Sequence, residues 1–205
     1  MLYFIVTTSI FNDCPIRKNQ YINGINKLKK VIKDLNIDNY KIIIVENNGV
    51  RNTFLNTLDC DVYYTSNNFI NTINRGYKEL QDILDCIEKY NINDSDFIVK
   101  MTGRYVLEDN SEFMNVIKNI HNTKYDCVIK YGPYFAPLDY KTENCITGLI
   151  GMSCYYVKQI EKPNEDVCVE CNWGKATYLM NDEKIYLVNK LGINICPGSN
   201  TYFMV

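Results

Sequence analysis

The sequence predicts an α/β domain built around a parallel sheet with helices on both faces, and three observations predict it. Short apolar runs alternate with helix-length amphipathic segments through the first half. Each of those runs ends in a cluster of polar residues. No internal repeat, low-complexity tract or linker divides the 205 residues, so a single domain over 1–205 is expected at this length. Alternation of this kind is the signature of βαβ units, whose crossovers are right-handed and whose strands are buried on both faces.

The elements follow in order. Leu2 to Val6 is a fully apolar run ending at Thr7-Thr8-Ser9. From Tyr21 to Leu35, apolar residues at 21, 22, 25, 28, 31, 32 and 35 keep helical spacing. Lys41 to Val45 is β-branched and ends at Glu46-Asn47-Asn48-Gly49, and Val62 to Thr65 ends at Ser66-Asn67-Asn68. A helix is expected from Asn71 to Tyr90, with Ile73, Tyr77, Leu80, Ile83, Leu84 and Ile87 as its apolar stripe. Phe97 to Met101 is the fourth strand and runs into Thr102-Gly103-Arg104. Beyond it, Ser111–His121 reads as helix, Cys127–Tyr131 and Gly148–Val157 as strands, Glu170–Met180 as helix, and Ile185–Val188 as strand. The intervening Tyr131–Thr147 stretch is irregular and aromatic.

Composition narrows the function classes. With 46% hydrophobic residues and 13% aromatics the chain is not disordered. A formal charge of −2, from 22 basic and 24 acidic residues, disfavours nucleic acid as a partner. No apolar run reaches the 18 or so residues of a membrane span. The nine cysteines are odd in number, and Cys60, Cys86, Cys127, Cys154 and Cys196 sit in or beside apolar runs. The apolar run at the start is too short for a signal-peptide core and lacks a basic flank. Free buried thiols in a reducing cytoplasm are therefore expected. Cys168-Val169-Glu170-Cys171 has zinc-like spacing but no second close pair. His121, the one histidine, falls late in a helix, where a dipole partner is the plain reading. No Walker-A sequence occurs, and no Gly-x-Gly-x-x-Gly follows the first strand.

In an open α/β sheet, ligands bind beyond the carboxyl ends of the strands. That rule nominates Thr7, Thr8 and Ser9; Glu46, Asn47 and Asn48; Asn67 and Asn68; and Lys100, Thr102, Gly103 and Arg104. Caps and turns draw on the same residue types, but four polar ends along one edge point to a site.

These strand ends, together with Asn74-Arg75-Gly76, resemble the nucleotide-binding half of GT-A-type glycosyltransferases. In detail the chain is similar to small glycosyltransferases of large DNA viruses and to bacterial surface-polysaccharide enzymes with a Lys-x-Thr-Gly-Arg-Tyr segment. The resemblance implies a GT-A-like (Rossmann-like), mostly parallel sheet flanked by helices. It also implies a nucleotide-sugar half over residues 1–110 and an acceptor-side half over 111–205. The implied reaction moves a sugar from a nucleotide-diphosphate sugar, with UDP-sugar the expected donor, onto a hydroxyl of a glycan or glycoconjugate. Donor binding would then involve Thr7, Thr8, Ser9, Glu46, Asn47, Asn67, Asn68, Arg75, Lys100, Thr102, Gly103 and Arg104, with Glu46 holding the base or ribose.

One departure concerns metal. The resembled fold usually carries Asp-x-Asp after its fourth strand to hold Mn²⁺ or Mg²⁺. Asp59-Cys60-Asp61 and Asp94-Ser95-Asp96 match literally but precede strands, at the wrong edge. At the expected place stands Lys100-Met101-Thr102-Gly103-Arg104-Tyr105. Arg104, with Lys100, could neutralise a diphosphate directly, and Gly103 could let backbone approach phosphate. No metal ligand is assigned, and dependence on a divalent ion stays open.

Transfer with inversion needs a carboxylate as general base near the acceptor. Glu170 is the first candidate and Asp166 the second, with Glu165 also near. Trp173 and Tyr134 are candidates for stacking on an acceptor sugar. A retaining mechanism is an open alternative. So are a sugar nucleotidyltransferase and a catalytically degenerate binding or assembly module. The nucleotidyltransferase would need a glycine-rich basic loop after the first strand, and Phe11–Lys18 has Arg17 and Lys18 but no glycine. The sugar, acceptor and oligomeric state are not legible.

Overall fold

The computed structural model describes residues 1–11, 14–132, 140–196 and 201–205. Its main sheet has seven strands in the order β3-β2-β1-β4-β7-β6-β8. The first four are β1 (Leu2–Thr8), β2 (Tyr40–Glu46), β3 (Asp61–Tyr64) and β4 (Phe97–Thr102), all parallel. Beyond β4 the direction reverses. β7 (Leu149–Ser153) runs antiparallel to both β4 and β6 (Cys127–Ile129), and β8 (Ile185–Leu187) is parallel to β6. The sheet is thus mostly parallel, with one reversed strand near its middle.

Period-two alternation along β1 sorts the core into two layers. Leu2, Phe4 and Val6 pack with Ile25, Leu28 and Ile32 of α1 (Pro15–Asp34), and with Phe113, Met114 and Ile117 of α3 (Glu112–Lys118). Tyr3 and Ile5 face the other way. They pack with Leu80, Ile83 and Ile87 of α2 (Arg75–Lys89), in a layer that includes Val169 and Trp173 of α5 (Val169–Ala176). The same parity governs the strand ends. Thr7 and Lys100 belong to the α2 face, and Thr8 to the α1 face, which decides what each can reach.

A second sheet, β10-β9-β5, is formed by β5 (Val106–Leu107), β9 (Ile193–Ile195) and β10 (Phe203–Met204), all antiparallel. Two or three residues per strand leave too little periodicity to read. Four boundaries differ from expectation by four residues or more, one of them the start of α2, which moves from Asn71 to Arg75 because Asn74 caps the helix there. The first helix begins six residues earlier, at Pro15, because Pro at the first helical position supplies a preset φ. The strand expected over Gly148–Val157 stops at Ser153 and continues as the one-turn helix α4 (Cys154–Val157). The helix expected over Glu170–Met180 ends at Ala176, followed by a 3₁₀ turn at Thr177–Leu179. Tyr134, with the rest of 133–139, lies outside the described residues.

Gly103 has a packing reason rather than the phosphate-approach role its position suggested. Its amide donates to Thr7 O at 2.9 Å, and a Cβ there would come within 2.9 Å of Val6 Cγ1. Gly24 of α1 faces the same turn, where a Cβ would meet Gly103 O at 2.3 Å. The turn after β4 is therefore pressed between β1 and α1, and this aims Arg104. Among the described residues no helix is long and apolar enough to cross a membrane.

Candidate functional site

The carboxyl ends of β1, β2 and β4 open into a cavity of about 870 Å³, within the range of small-molecule sites. Thr7, Lys100 and Thr102 form its floor with Glu79 and Asp82 of α2. The β1–α1 connection supplies Thr8, Ser9, Phe11, Cys14 and Arg17. Asn68, Asn74, Arg75, Gly76 and Lys78 come from the approach to α2 and its first turn. Cys168, Val169 and Glu170, from the start of α5, close the side next to the start of α2, and Arg104 and Tyr105 stand beyond β4. Residues from both halves of the chain therefore meet at one cavity.

The floor is an ion-pair network. Lys100 has a side chain only 1% exposed, and its ammonium meets Glu79 Oε1 at 2.9 Å. It also donates to Thr147 O at 2.6 Å and Thr102 Oγ1 at 3.1 Å. Thr7 Oγ1 donates to the same Glu79 oxygen at 2.6 Å. The ammonium is thus committed to one ion pair and two hydrogen bonds inside the protein. This corrects the expectation that Lys100 presents its charge to a diphosphate: it holds the floor together.

Glu46 is corrected in the same way. It is fully buried. It accepts from Thr8 Oγ1 at 2.9 Å, Asn48 Nδ2 at 2.7 Å, Arg51 Nη2 at 2.9 Å and the amide of Ile10 at 3.0 and 3.1 Å. A carboxylate offers about four acceptor positions, so these donors saturate it. Glu46 shapes the β1–α1 connection and does not line the cavity.

Asp82 gathers the asparagines. It accepts from Asn47 Nδ2 at 3.0 Å, Thr65 Oγ1 at 2.6 Å and Asn67 Nδ2 at 2.8 Å. Burial pushes its carboxyl up to about 6, and the three donors pull the other way. Asn47 still lines the cavity, whereas Asn67 is drawn behind the wall toward Asp82 and Asp85. Asn68 donates to Asn48 Oδ1 at 2.6 Å.

The Asn74-Arg75-Gly76 element ties the two halves together. Asn74 caps α2 by accepting from Tyr77 N at 3.1 Å, and its amide donates to Val167 O at 3.0 Å and to Asn164 O. Gly76 leaves room for α5, since a Cβ there would lie 2.5 Å from Val169 Cβ. Arg75, beside it, is exposed at the cavity rim.

Five cationic side chains line the cavity against three carboxylates. With Lys100 spent on Glu79, the surplus lies at the rim, where Arg17 and Arg75 form no ion pair among the described residues. Both sit in first helical turns that carry no acidic residue, where the dipole adds positive potential. Arg104 donates to Cys196 O and stacks over Tyr105, with 5.5 Å from guanidinium carbon to ring centroid.

Of the two acid candidates, Glu170 is in the cavity wall, half-buried, with Thr147 Oγ1 at 3.5 Å. Asp166 is exposed on the preceding loop and does not line the cavity. Trp173 is corrected as an acceptor platform: at 1% exposure it is packed into the core on the α2 face. Sequence reasoning missed Glu79, Asp82 and Thr147. The first two carried a signal, because acids at 79 and 82 share the inward face of α2 with Ile83 and Cys86.

A divalent ion fits poorly at the end of β4, where an ammonium occupies the position that a carboxylate ligand would need. Among the described residues no group of three or more His, Cys, Asp or Glu side chains could hold a metal ion. The two Asp-x-Asp sequences stand at the opposite edge in ion pairs, Asp61 with Lys41 at 2.7 Å and Asp94 with Lys158 at 2.6 Å.

No family model and no curated protein matches the sequence. Solved structures do match. The mannosyltransferase PcManGT from Pyrobaculum calidifontis, in complex with GDP-Man and Mn²⁺, has a TM-score of 0.56 at 11% identity over 91% of this chain. The chain spans 54% of that protein's length. A protein assigned as a glucose-1-phosphate thymidylyltransferase from Bacillus anthracis has a TM-score of 0.56 at 12% identity, covering 91% of this chain and 85% of its own. A protein assigned as a nucleotide-diphospho-sugar transferase from Desulfovibrio desulfuricans has a TM-score of 0.51 at 10% identity, covering 91% and 79%. At such identities the likeness is one of architecture: the chain has the GT-A-like fold of the nucleotide-diphospho-sugar transferases it resembles.

Proposed function

We propose that the protein is a nucleotide-sugar-dependent glycosyltransferase. One observation carries this reading: a cavity at the carboxyl ends of the parallel strands has surplus cations on one rim and a half-buried carboxylate, Glu170, on the wall from the second half. Arg75, Arg17 and Arg104 suit a diphosphate, because a guanidinium pairs with phosphate oxygens bidentately and keeps its charge at any working pH. The bond between the anomeric carbon and the β-phosphate oxygen breaks, the charge left on the diphosphate is met by these arginines, and the acceptor oxygen takes its place on carbon. Glu170 removes the acceptor proton as general base. Lys100, Glu79 and Thr7 hold the floor rigid. Among the described residues no group of three or more metal-ligating side chains stands ready for a divalent ion, and the arginines take the diphosphate charge instead.

A second reading, a sugar nucleotidyltransferase, is favoured by the equal TM-score of the thymidylyltransferase. The glycine-free β1–α1 connection weighs against it. Thermal-shift titration with UDP-, GDP-, CMP- and dTDP-sugars, followed by assay of donor hydrolysis with and without EDTA, separates the readings. Stabilisation by one nucleotide class with slow sugar release is the expected result, and UDP is the expected class. Turnover of a nucleoside triphosphate plus sugar 1-phosphate, with pyrophosphate release, would replace it with the second reading. Silence toward every nucleotide would point to a binding or assembly module. Hydrolysis abolished by EDTA and restored by Mn²⁺ would overturn the metal-independent version.

A further inference from the structure

The cavity wall contains a feature that nucleotide-sugar chemistry does not use. Cys168 is the N-cap residue of α5, and Cys171 lies three residues on, across the helix's first turn. Their thiols are in hydrogen-bond contact at 2.7 Å. Cys168 is exposed and lines the cavity, and Cys171 is half-buried. The other seven cysteines include five that are buried, at 86, 127, 145, 154 and 196.

The backbone on both sides of Cys168 is already anchored. Val167 O accepts from the Asn74 side chain, and Val169 is packed against Gly76. The N-cap and third helical positions of α5 already bring the two sulfurs into contact, so disulfide closure asks for little side-chain movement. Cys-x-x-Cys spacing is a common setting for reactive dithiols, and the exposure of Cys168 leaves its sulfur accessible.

We propose that Cys168 and Cys171 form a reversible dithiol–disulfide site in the cavity wall, oxidised by small disulfides of the glutathione class. The exposed Cys168 sulfur, as thiolate, attacks the oxidised disulfide, forms a mixed disulfide and releases one reduced thiol. Cys171 then attacks the Cys168 sulfur and releases the second. Two protein thiols lose two electrons and two protons, and one small disulfide becomes two thiols. The hydrogen bond with Cys168, in which Cys171 keeps its proton, followed by burial, pushes the Cys171 thiol up to about 11, which suits it to the second, resolving position. The ring so closed contains Val169 and Glu170, so oxidation fixes the turn that carries the one carboxylate on that wall. The site is independent of what the cavity binds.

The test uses the full chain in buffers of graded reduced-to-oxidised glutathione ratio, quenched with acid, alkylated and mapped by mass spectrometry. The expected result is a peptide bearing both cysteines that has lost two hydrogens and both alkyl groups, and regains them with dithiothreitol. Because the second thiol acts intramolecularly, this disulfide should persist at ratios at least about tenfold more reducing than the mixed disulfide on exposed Cys14. In Cys171→Ser a glutathione adduct should accumulate on Cys168, because nothing displaces it. Alkylation of both residues under conditions that modify Cys14 would overturn the proposal. So would a disulfide joining Cys168 to Cys14, or absence of the adduct in Cys171→Ser.

Discussion

The two edges of the parallel strands use the same residue types to opposite ends. At the amino edge, each carboxylate of the two Asp-x-Asp sequences faces one cation: Asp59 with Lys29 at 3.7 Å, Asp61 with Lys41, Asp94 with Lys158, and Asp96 with the Met1 amine at 2.7 Å. Apart from the buried Asp96 carboxylate, the members of these pairs are partly or fully exposed, and water screens them. At the carboxyl edge the charges do not match one for one. One lysine is buried against one glutamate, and arginines at the rim stand without a partner among the described residues. The lesson is that charge motifs acquire function from the edge on which they stand. A balanced, solvated pair needs no ligand, whereas a surplus beside a desolvated floor is ready for an anion.

The contrast can be broken from its functional end first. Glu170→Gln keeps size and hydrogen bonding but removes the base, so turnover should fall about 100- to 10,000-fold with the fold intact, as steady-state kinetics and circular dichroism would show. Near-normal turnover would remove Glu170 from the mechanism. Lys100→Met comes next, because it strands Glu79 and Thr147 O beneath the cavity. A loss of about 2–3 kcal/mol in denaturant unfolding is expected, below the full cost of breaking a buried pair since Glu79 is partly exposed. A cost under 1 kcal/mol would mean that the floor is not an organised network.

Asp82 sharpens the comparison through pH. Its folded-state carboxyl is raised to about 6 from the ordinary value of 3.8. Between those values the folded state binds more protons than the unfolded state, so this group makes stability fall as pH rises from about 4 to 6 and has no further effect above. In Asp82→Asn that part of the slope should vanish in chemical denaturation between pH 4 and 7, whatever happens to the absolute stability. An unchanged slope would show that Asp82 is ionised throughout that range. The smallest effect belongs to the amino edge. Asp94→Asn should change stability by less than about 0.5 kcal/mol, and a larger loss would erase the distinction between the edges.

Much of the fold was legible because its signals are local. The apolar run at 2–6 and the helical stripe at 80, 83 and 87 need no distant partner to be recognised. Site legibility was uneven for the same reason. Thr7, Thr8, Asn47, Lys100, Thr102 and Arg104 were nominated by the strand-end rule and do line the cavity. Glu46, Asn67 and Trp173 were nominated too, yet saturation by donors, capture by Asp82 and burial in the core keep them out. Glu79 and Asp82 went unnoticed because acids early in a helix look like any solvated turn until the strand ends lie beneath them.

By itself, the sequence determined the α/β class, the strand edge at which the cavity opens, and the absence of an Asp-x-Asp at that edge, since periodicity and strand-end polarity are properties of short segments. The tertiary structure alone decided that Lys100 supports the floor instead of meeting an anion, and that Glu46 shapes a loop. It alone brought Glu170 and Cys168, about 100 residues downstream of Arg75, to the same cavity and against the start of α2. Hydrogen-bond saturation and burial depend on which distant segments arrive at the same place, and no local pattern records that.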